Sequence, residues 1–307
     1  MSSAKDKASI LLGTLDLEEI DVDIFRGNTL WCPTVSQRIF GGQAIGQALV
    51  AASKTVDEQF SPHSLHLYFL RAGDPSIPLI YKVERTRDGH SYCSRNVHAI
   101  QQGLTIYSSQ ISFCKFEETV IEHQANMPNA PDPETLPTNE ERLRRRLEHE
   151  TDDNNRLLIK KSLASPIPID IRRCKQQRVD IIQYPSHQSD PPYRLVWFKG
   201  IDKIGPELKN LHSPIVGYAS DYSILDTAML PHANFRYTMI TSLDHSMWFH
   251  LPVRADEWLL YEMQSPKANN GRVLVLGKFF TRDGQLAVSI AQEGLMRGVM
   301  NEPSSRL

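Results

Sequence analysis

Leu79-Ile80-Tyr81-Lys82-Val83-Glu84 and Leu259-Leu260-Tyr261-Glu262-Met263-Gln264 are nearly the same strand-like stretch, 180 residues apart. The segments downstream of each repeat as well. In the first half come the turn pair Asp88-Gly89, a strand-like run, a second turn at Gln102-Gly103, and the run Leu104 to Phe113. In the second half come Asn270-Gly271, a strand-like run, Asp283-Gly284, and the run Gln285 to Leu295. The offset is 180 at the strand, 182 at the first turn and 181 at the second, a drift that small loop changes account for. A repeated order of strand, tight turn and strand predicts two copies of one fold unit.

Working outward, the first copy opens with a strand candidate near Leu15 to Phe25. A helix is predicted over Ala44 to Val56, because Ile45, Ala48, Leu49, Ala52 and Val56 fall at i, i+3, i+4, i+7 and i+11. Ala44, Gly46, Ala48, Ala51 and Ala52 are small, so a sheet can approach this helix closely; Gly41-Gly42 before it frees the chain for a tight entry. Strands are predicted at His63 to Leu70, Leu79 to Arg85, Tyr92 to Gln101 and Leu104 to Phe113, with Asp88-Gly89 as a hairpin signal. In the second copy strands are predicted at Ile169 to Val179, Tyr193 to Lys199, Thr241 to Phe249, Trp258 to Gln264, Val273 to Phe280 and Gln285 to Leu295. A short helical segment is expected at Tyr222 to Leu230, with Ser220 and Asp221 as natural N-caps. Between the copies, Pro128, Pro131, Pro133 and Pro137 break regular structure, and Asn139 to Leu163 is charged and helix-prone, with Glu140/Arg144 and Glu141/Arg145 at i,i+4. Arg142, Arg144, Arg145 and Arg146 read best as a solvated helix face. The division is therefore residues 1–116, a linker at 117–166, and 167–307. One apolar helix with an antiparallel sheet of about five strands curled around it is the hot-dog arrangement; two in one chain give an α+β, double hot-dog fold.

Composition sets the outer limits. At 307 residues, about two domains are expected. Net charge is −2, from 34 basic and 36 acidic residues, which gives no general reason to expect a nucleic-acid partner. Cys32, Cys93, Cys114 and Cys174 are widely spaced, and no CxxC pair exists, so neither a disulfide framework nor a zinc knuckle is implied. No run approaches the ~20 apolar residues of a membrane helix, and residues 1–9 lack the apolar region of a secretory signal. Ser305-Arg306-Leu307 is a variant of the Ser-Lys-Leu peroxisomal address: a small residue, a cation, and a leucine carrying the free carboxylate. It predicts recognition by the peroxisomal import receptor and residence in the peroxisome matrix.

Several chemistries are missing. There is no GxSxG nucleophile elbow, and no HExxH, GxxxxGK[ST] or GxGxxG. The eleven histidines show no metal-ligand spacing; His245, beside Asp244, reads first as a hydrogen-bonded strand histidine.

Five segments carry a family resemblance: Arg38 to Gln43 (RIFGGQ), His66 to Asp74 (HLYFLRAGD), Ala219-Ser220-Asp221, Leu243 to His250 (LDHSMWFH), and Gln292 to Arg297 (QEGLMR). In order and together they resemble the type II acyl-CoA thioesterase family, the bacterial TesB-like enzymes and their peroxisomal relatives, nearer to the latter. The resemblance runs from about Leu15 to Arg297. It implies hydrolysis of acyl-CoA to free acid and CoA without a covalent serine intermediate, and no cofactor, since CoA is part of the substrate. It also implies a water-orienting trio at Asp221, Ser242 and Gln292. Bacterial members commonly have Thr where this chain has Ser242; the hydroxyl is kept.

The chemistry suits those residue types. Thioester hydrolysis needs a placed water, a proton acceptor and donors for the developing oxyanion. Asp221 can take the water's proton, the Gln292 amide can donate and accept, and Ser242 can complete the water's bonds or hold Asp221. A helix N-terminus near Tyr222 would add a positive dipole end. Taken singly, each residue has a plain structural use: helix cap, sheet-edge hydroxyl, buried amide. The repeat adds an asymmetry. At the same offset Asp221 falls opposite Gly41, Ser242 near Pro62 to Ser64, and Gln292 opposite Ser112 or Ile111, so one trio per chain is expected. Arg71, Arg87 and Arg95 are candidates for the CoA phosphates. Pairing of sheets edge to edge makes a homo-oligomer the expectation. Competing readings are a hot-dog enoyl-CoA hydratase, which would leave the thioester intact, and a non-catalytic acyl-CoA binder.

Overall fold

The computed structural model describes residues 11–300 except 34, 35, 37, 119, 166, 176–188, 202 and 233. The first copy holds β1 (Glu18–Asp21), β2 (Ile24–Gly27), helix α1 (Gly41–Ser53), β3 (Ser61–Phe69), β4 (Leu79–Asp88), β5 (Tyr92–Gln101) and β6 (Leu104–Cys114). Helices α2 (Asn139–His149) and α3 (Asp153–Ala164) follow. The second copy holds β7 (Ile169–Arg173), β8 (Tyr193–Gly200), α4 (His212–Ser220), β9 (Phe235–Ser242), β10 (Asp244–Phe249), β11 (Leu259–Asn269), β12 (Arg272–Thr281) and β13 (Leu286–Met300). The predicted strands of the repeat all form. Gln102-Gly103 and Asn270-Gly271 turn as expected, with φ of 50° and 76° at the first pair and 52° and 71° at the second. Asp88-Gly89 sits in a hairpin too, but in a longer loop closed by Gly89 N–H on the Tyr92 carbonyl.

All described strands join one antiparallel sheet, in the order β1-β2-β4-β5-β6-β3-β10-β13-β12-β11-β8-β7, with β9 also paired to β13. The seam between copies is β3 against β10, and on it Ser246 lies opposite His66. These two residues are themselves 180 apart, so the repeat axis passes between them. The two hot-dog sheets thus pair edge to edge within one chain.

The sheet wraps two helices that pack on each other through small residues. A Cβ on Gly46 of α1 would meet the Pro214 carbonyl oxygen of α4 at 2.9 Å, and one on Gly217 of α4 would meet Leu49 at 2.8 Å. Ile45, Ala48, Leu49, Ile215, Val216 and Tyr218 are buried between the helices and the sheet. The tyrosines of the repeated stretch tie the sheet to this pair: Tyr81 Oη donates to Gln47 Oε1 of α1 (2.8 Å), and Tyr261 Oη donates to the Ser220 carbonyl at the end of α4 (2.7 Å).

Four local expectations need correction, the first being the strand over 241–249, which breaks at Leu243 into β9 and β10. Residues 15–25 are not one strand: a helical segment at 11–15 precedes the β1–β2 hairpin, which turns through Asp23 at φ 56°. The first helix starts at Gly41, with extended Phe40 as its N-cap. The second helix lies before Asp221, not after it. Pro214 falls in its first turn, where a missing N–H leaves no intrahelical bond unmade, and the expected segment at 222–230 is only a 3₁₀ turn at Leu225–Met229.

The segment between the copies does more than connect them. Residues 124–136 run over the outer face of the second-half sheet. There Trp197 Nε1 donates to the Pro131 carbonyl, and Arg282 pairs with Asp132 and Glu134. Trp197, Trp258, Leu260 and Phe280 are buried beneath. In α2, Arg144 pairs with Glu140 at 2.8 Å, whereas Glu141 closes a capping box with Thr138.

Candidate active site

Asp221, Ser242 and Gln292 arrive from three elements and meet. Asp221 is the C-cap of α4, where Tyr261 holds the last turn. Ser242 ends β9, at the break before β10; Gln292 points inward from β13 and is fully buried. Gln292 Nε2 donates to Asp221 Oδ1 (2.9 Å) and to Ser242 Oγ (2.8 Å). Ser242 Oγ donates a long hydrogen bond to Asp221 Oδ1 at 3.5 Å. Both amide protons of Gln292 are therefore spent on its two neighbours, so the amide does not itself reach for a water.

The helix N-terminus at this site belongs to the other copy. Gly42 N–H, in the first turn of α1, donates to Asp221 Oδ2 at 2.9 Å. The positive end of a helix dipole thus faces the carboxylate, but it is α1 rather than a helix starting at Tyr222. Glycine is required for this approach. A Cβ on Gly41 would lie 2.6 Å from Asp221 Oδ2, and one on Gly42 would lie 2.2 Å from the Tyr218 carbonyl oxygen. Gly41, placed opposite Asp221 by the repeat offset, is its neighbour rather than its counterpart. α1 begins at residue 41 while α4 ends at residue 220, so the offset of the strands does not carry over to the helices.

Burial pushes the Asp221 carboxyl up to about 6, although the bonds from Gln292, Gly42 and Ser242 pull the other way. The carboxylate opens on a cavity of about 620 Å³ between the two copies. Ser242, Gly41, Phe40, Phe69, Ile106 and Leu225 are among its walls, and the mainly apolar lining suits an acyl chain. Of the three arginines that are candidates for phosphate contacts, Arg71 lines the cavity and donates to the Thr105 carbonyl. Arg87 sits at the far end of β4, away from the cavity. Arg95 is 1% exposed and holds Thr55 and Asp88, so it braces the first copy and is not available to a phosphate. Among the described residues, no group of three or more His, Cys, Asp or Glu is placed to hold a metal.

Sequence reasoning misses two parts of this cluster. His245 is fully buried, with Nδ1 on Gln292 Oε1 and Nε2 3.0 Å from Ser220 Oγ. Gly42 reads in sequence only as a helix entry. The LDHS context and the double glycine are visible signals, but neither says which groups they face.

Comparison with known proteins agrees with this architecture. A family model described as acyl-CoA thioesterase matches residues 172–295, and one described as acyl-CoA thioesterase N-terminal domain matches residues 28–114. The chain is 42% identical over 305 residues to acyl-coenzyme A thioesterase 8 of Rattus norvegicus, covering 98% of this chain and 93% of that protein. It is 26% identical to peroxisomal acyl-coenzyme A thioester hydrolase 1 of Saccharomyces cerevisiae, covering 96% of each. Among solved structures, acyl-CoA thioesterase II TesB2 from Mycobacterium marinum superposes with a TM-score of 0.71 at 37% identity, covering 96% of this chain and 99% of that one. A double hot-dog sheet, a half-buried carboxylate on an apolar cleft and full-length similarity of this degree make the chain a member of the acyl-CoA thioesterase family, a thioester hydrolase acting on acyl-CoA.

Proposed function

We propose that this chain hydrolyses fatty acyl-CoA thioesters in peroxisomes, by direct attack of one water held between Asp221 and Ser242. The observation that carries this reading is the Asp221 carboxylate, half-buried on the cavity wall and fixed from both copies of the fold. A water on the cavity side of Ser242 and Asp221, within reach of both, would accept from the Ser242 hydroxyl and donate to Asp221. As its oxygen bonds to the thioester carbon, its proton passes to Asp221. The carbonyl oxygen gains charge near the positive end of α1, where backbone dipoles oppose it. Collapse re-forms the carbonyl and breaks the C–S bond. The proton then moves from Asp221 to the departing sulfur, releasing acid and CoA. A carboxyl raised to about 6 is a stronger base than an exposed Asp and is still largely ionised at neutral pH. Gln292 holds the other two members in place.

Three measurements test the mechanism together. Asp221→Asn should lose about 10²–10⁴ in kcat with substrate binding retained. Wild-type kcat should rise with pH through about 6, as the carboxyl ionises. A quenched single turnover should show no acyl-enzyme by intact mass. An acyl adduct on Ser242, or near-normal kcat in Asp221→Asn, refutes it. The peroxisomal part of the proposal is supported by the name of the yeast relative and by Ser305-Arg306-Leu307, which lies outside the described residues. A reporter fused upstream of the tail should enter peroxisomes only while Leu307 is present; import that survives its removal overturns that assignment.

A further inference from the structure

We infer that His245 is a positioning residue for the reaction: it locks the Gln292 amide with its NH₂ toward Asp221 and Ser242. The inference rests on the water-attack reading above and adds a residue to it.

The argument is one of donors and acceptors. Asp221 ionised can only accept, so the Gln292 atom 2.9 Å from Oδ1 must be the NH₂. The same NH₂ serves Ser242 Oγ at 2.8 Å. The other end of the amide, Oε1, can then only accept, and the group against it is His245 Nδ1. His245 must therefore carry its proton on Nδ1. Burial lowers its pKa to about 4, so the ring is neutral and Nε2 is an acceptor. Ser220 Oγ, one residue before Asp221, lies 3.0 Å from Nε2 and 2.8 Å from the Gly217 carbonyl; its single proton serves one of the two, and turned to Nε2 it completes the Nδ1–H tautomer. Flipping the amide would set its oxygen against the Asp221 carboxylate and its NH₂ against the Nδ1 proton, two repulsions at once. With an apolar side chain at 245, the second of those penalties disappears. An unbound Oε1 would also be left buried, and only the Asp221 and Ser242 side would still hold the amide's orientation.

The other copy shows what this position holds without the trio. At the offset that sets His66 against Ser246, the counterpart of His245 is Leu65. Leu65 pairs with Ile111, and both are fully buried. One fold unit thus fills the same inward positions with two apolar side chains, and the other with His and Gln. The packing tolerates hydrocarbon there; the imidazole has a different task.

The test uses full-length protein with Gln292→Ala, His245→Leu, the double variant, His245→Asn and His245→Gln. Asn places an amide N–H about where Nδ1 sits, and Gln about where Nε2 sits. His245→Leu should lower kcat by about 10²-fold, as expected for a misplaced catalytic group, with KM nearly unchanged. In the Gln292→Ala background the same change should cost nothing further. His245→Asn should recover most of kcat, and His245→Gln should not. A kcat loss from His245→Leu that is equal in both backgrounds means a merely structural role and overturns the inference, as does full kcat in His245→Leu. If His245→Leu does not fold, the Asn and Gln variants decide: equal kcat in both overturns it. Full kcat in Gln292→Ala would instead mean that the trio itself has been misread.

Discussion

Asp221 is ionised where the protein would rather it were neutral, and this sets a measurable relation between activity and stability. Its carboxyl rises from an ordinary 3.8 to about 6 in the fold. The folded state therefore holds a proton that the unfolded state has already lost between those two values. Across that window stability falls as pH rises, and the full cost is present above about pH 6. A rise of about two units corresponds to roughly 3 kcal/mol at ~1.4 kcal/mol per unit. Asp221→Asn removes this cost. It also brings a new one, because the asparagine NH₂ must face either the Gly42 N–H or the Gln292 NH₂, each of which now donates to the carboxylate. That mismatch costs about 1–3 kcal/mol and does not vary with pH. The robust quantity is thus the change in the mutant-minus-wild-type stability between about pH 4 and pH 8: about 2.5 kcal/mol in favour of the mutant at the higher pH, since a little of the cost is already present at the lower one. Urea unfolding of both proteins at the two pH values measures it. A difference that stays flat with pH, or one that favours wild type more at the higher pH, would show that Asp221 is not a desolvated carboxylate and would remove the basis for its strength as a base.

Two further outcomes rest on the same contacts. Gly42→Ala should abolish most activity while the protein still folds, because a Cβ 2.2 Å from the Tyr218 carbonyl oxygen must push the start of α1 away from Asp221; unchanged kcat would dissociate that helix from the reaction. Arg95→Leu should lower stability by about 2 kcal/mol or more through its lost charged hydrogen bonds, with KM for acyl-CoA unchanged since Arg95 lies buried under Thr55; a raised KM at normal stability would restore it as a phosphate contact.

The sequence by itself determined the repeat, and with it the strands. Alternating apolar positions and Asn-Gly or Gln-Gly turns are local signals, set by side-chain direction and by the few conformations that allow φ above zero, so β4 to β6 and β11 to β13 were legible in place and order, with ends that run up to five residues further. Asp221, Ser242 and Gln292 could be named as candidates because short motifs around them resemble a family. That they touch, at 2.8–3.5 Å, is a fact of the folded chain alone. The company each side chain keeps came only with folding. Asp221 reads as an N-cap in sequence, yet it ends its own helix and faces the start of the helix 179 residues before it. Arg95 reads as a candidate phosphate contact and is in fact an internal brace; His245 reads as a strand histidine and is the only partner placed against Gln292 Oε1 among the described residues. Local pattern fixes which face of an element is apolar. Hydrogen-bond partners, dielectric and pKa depend on atoms brought from the other copy, and those distances exist only once the two halves of the sheet have closed on the paired helices.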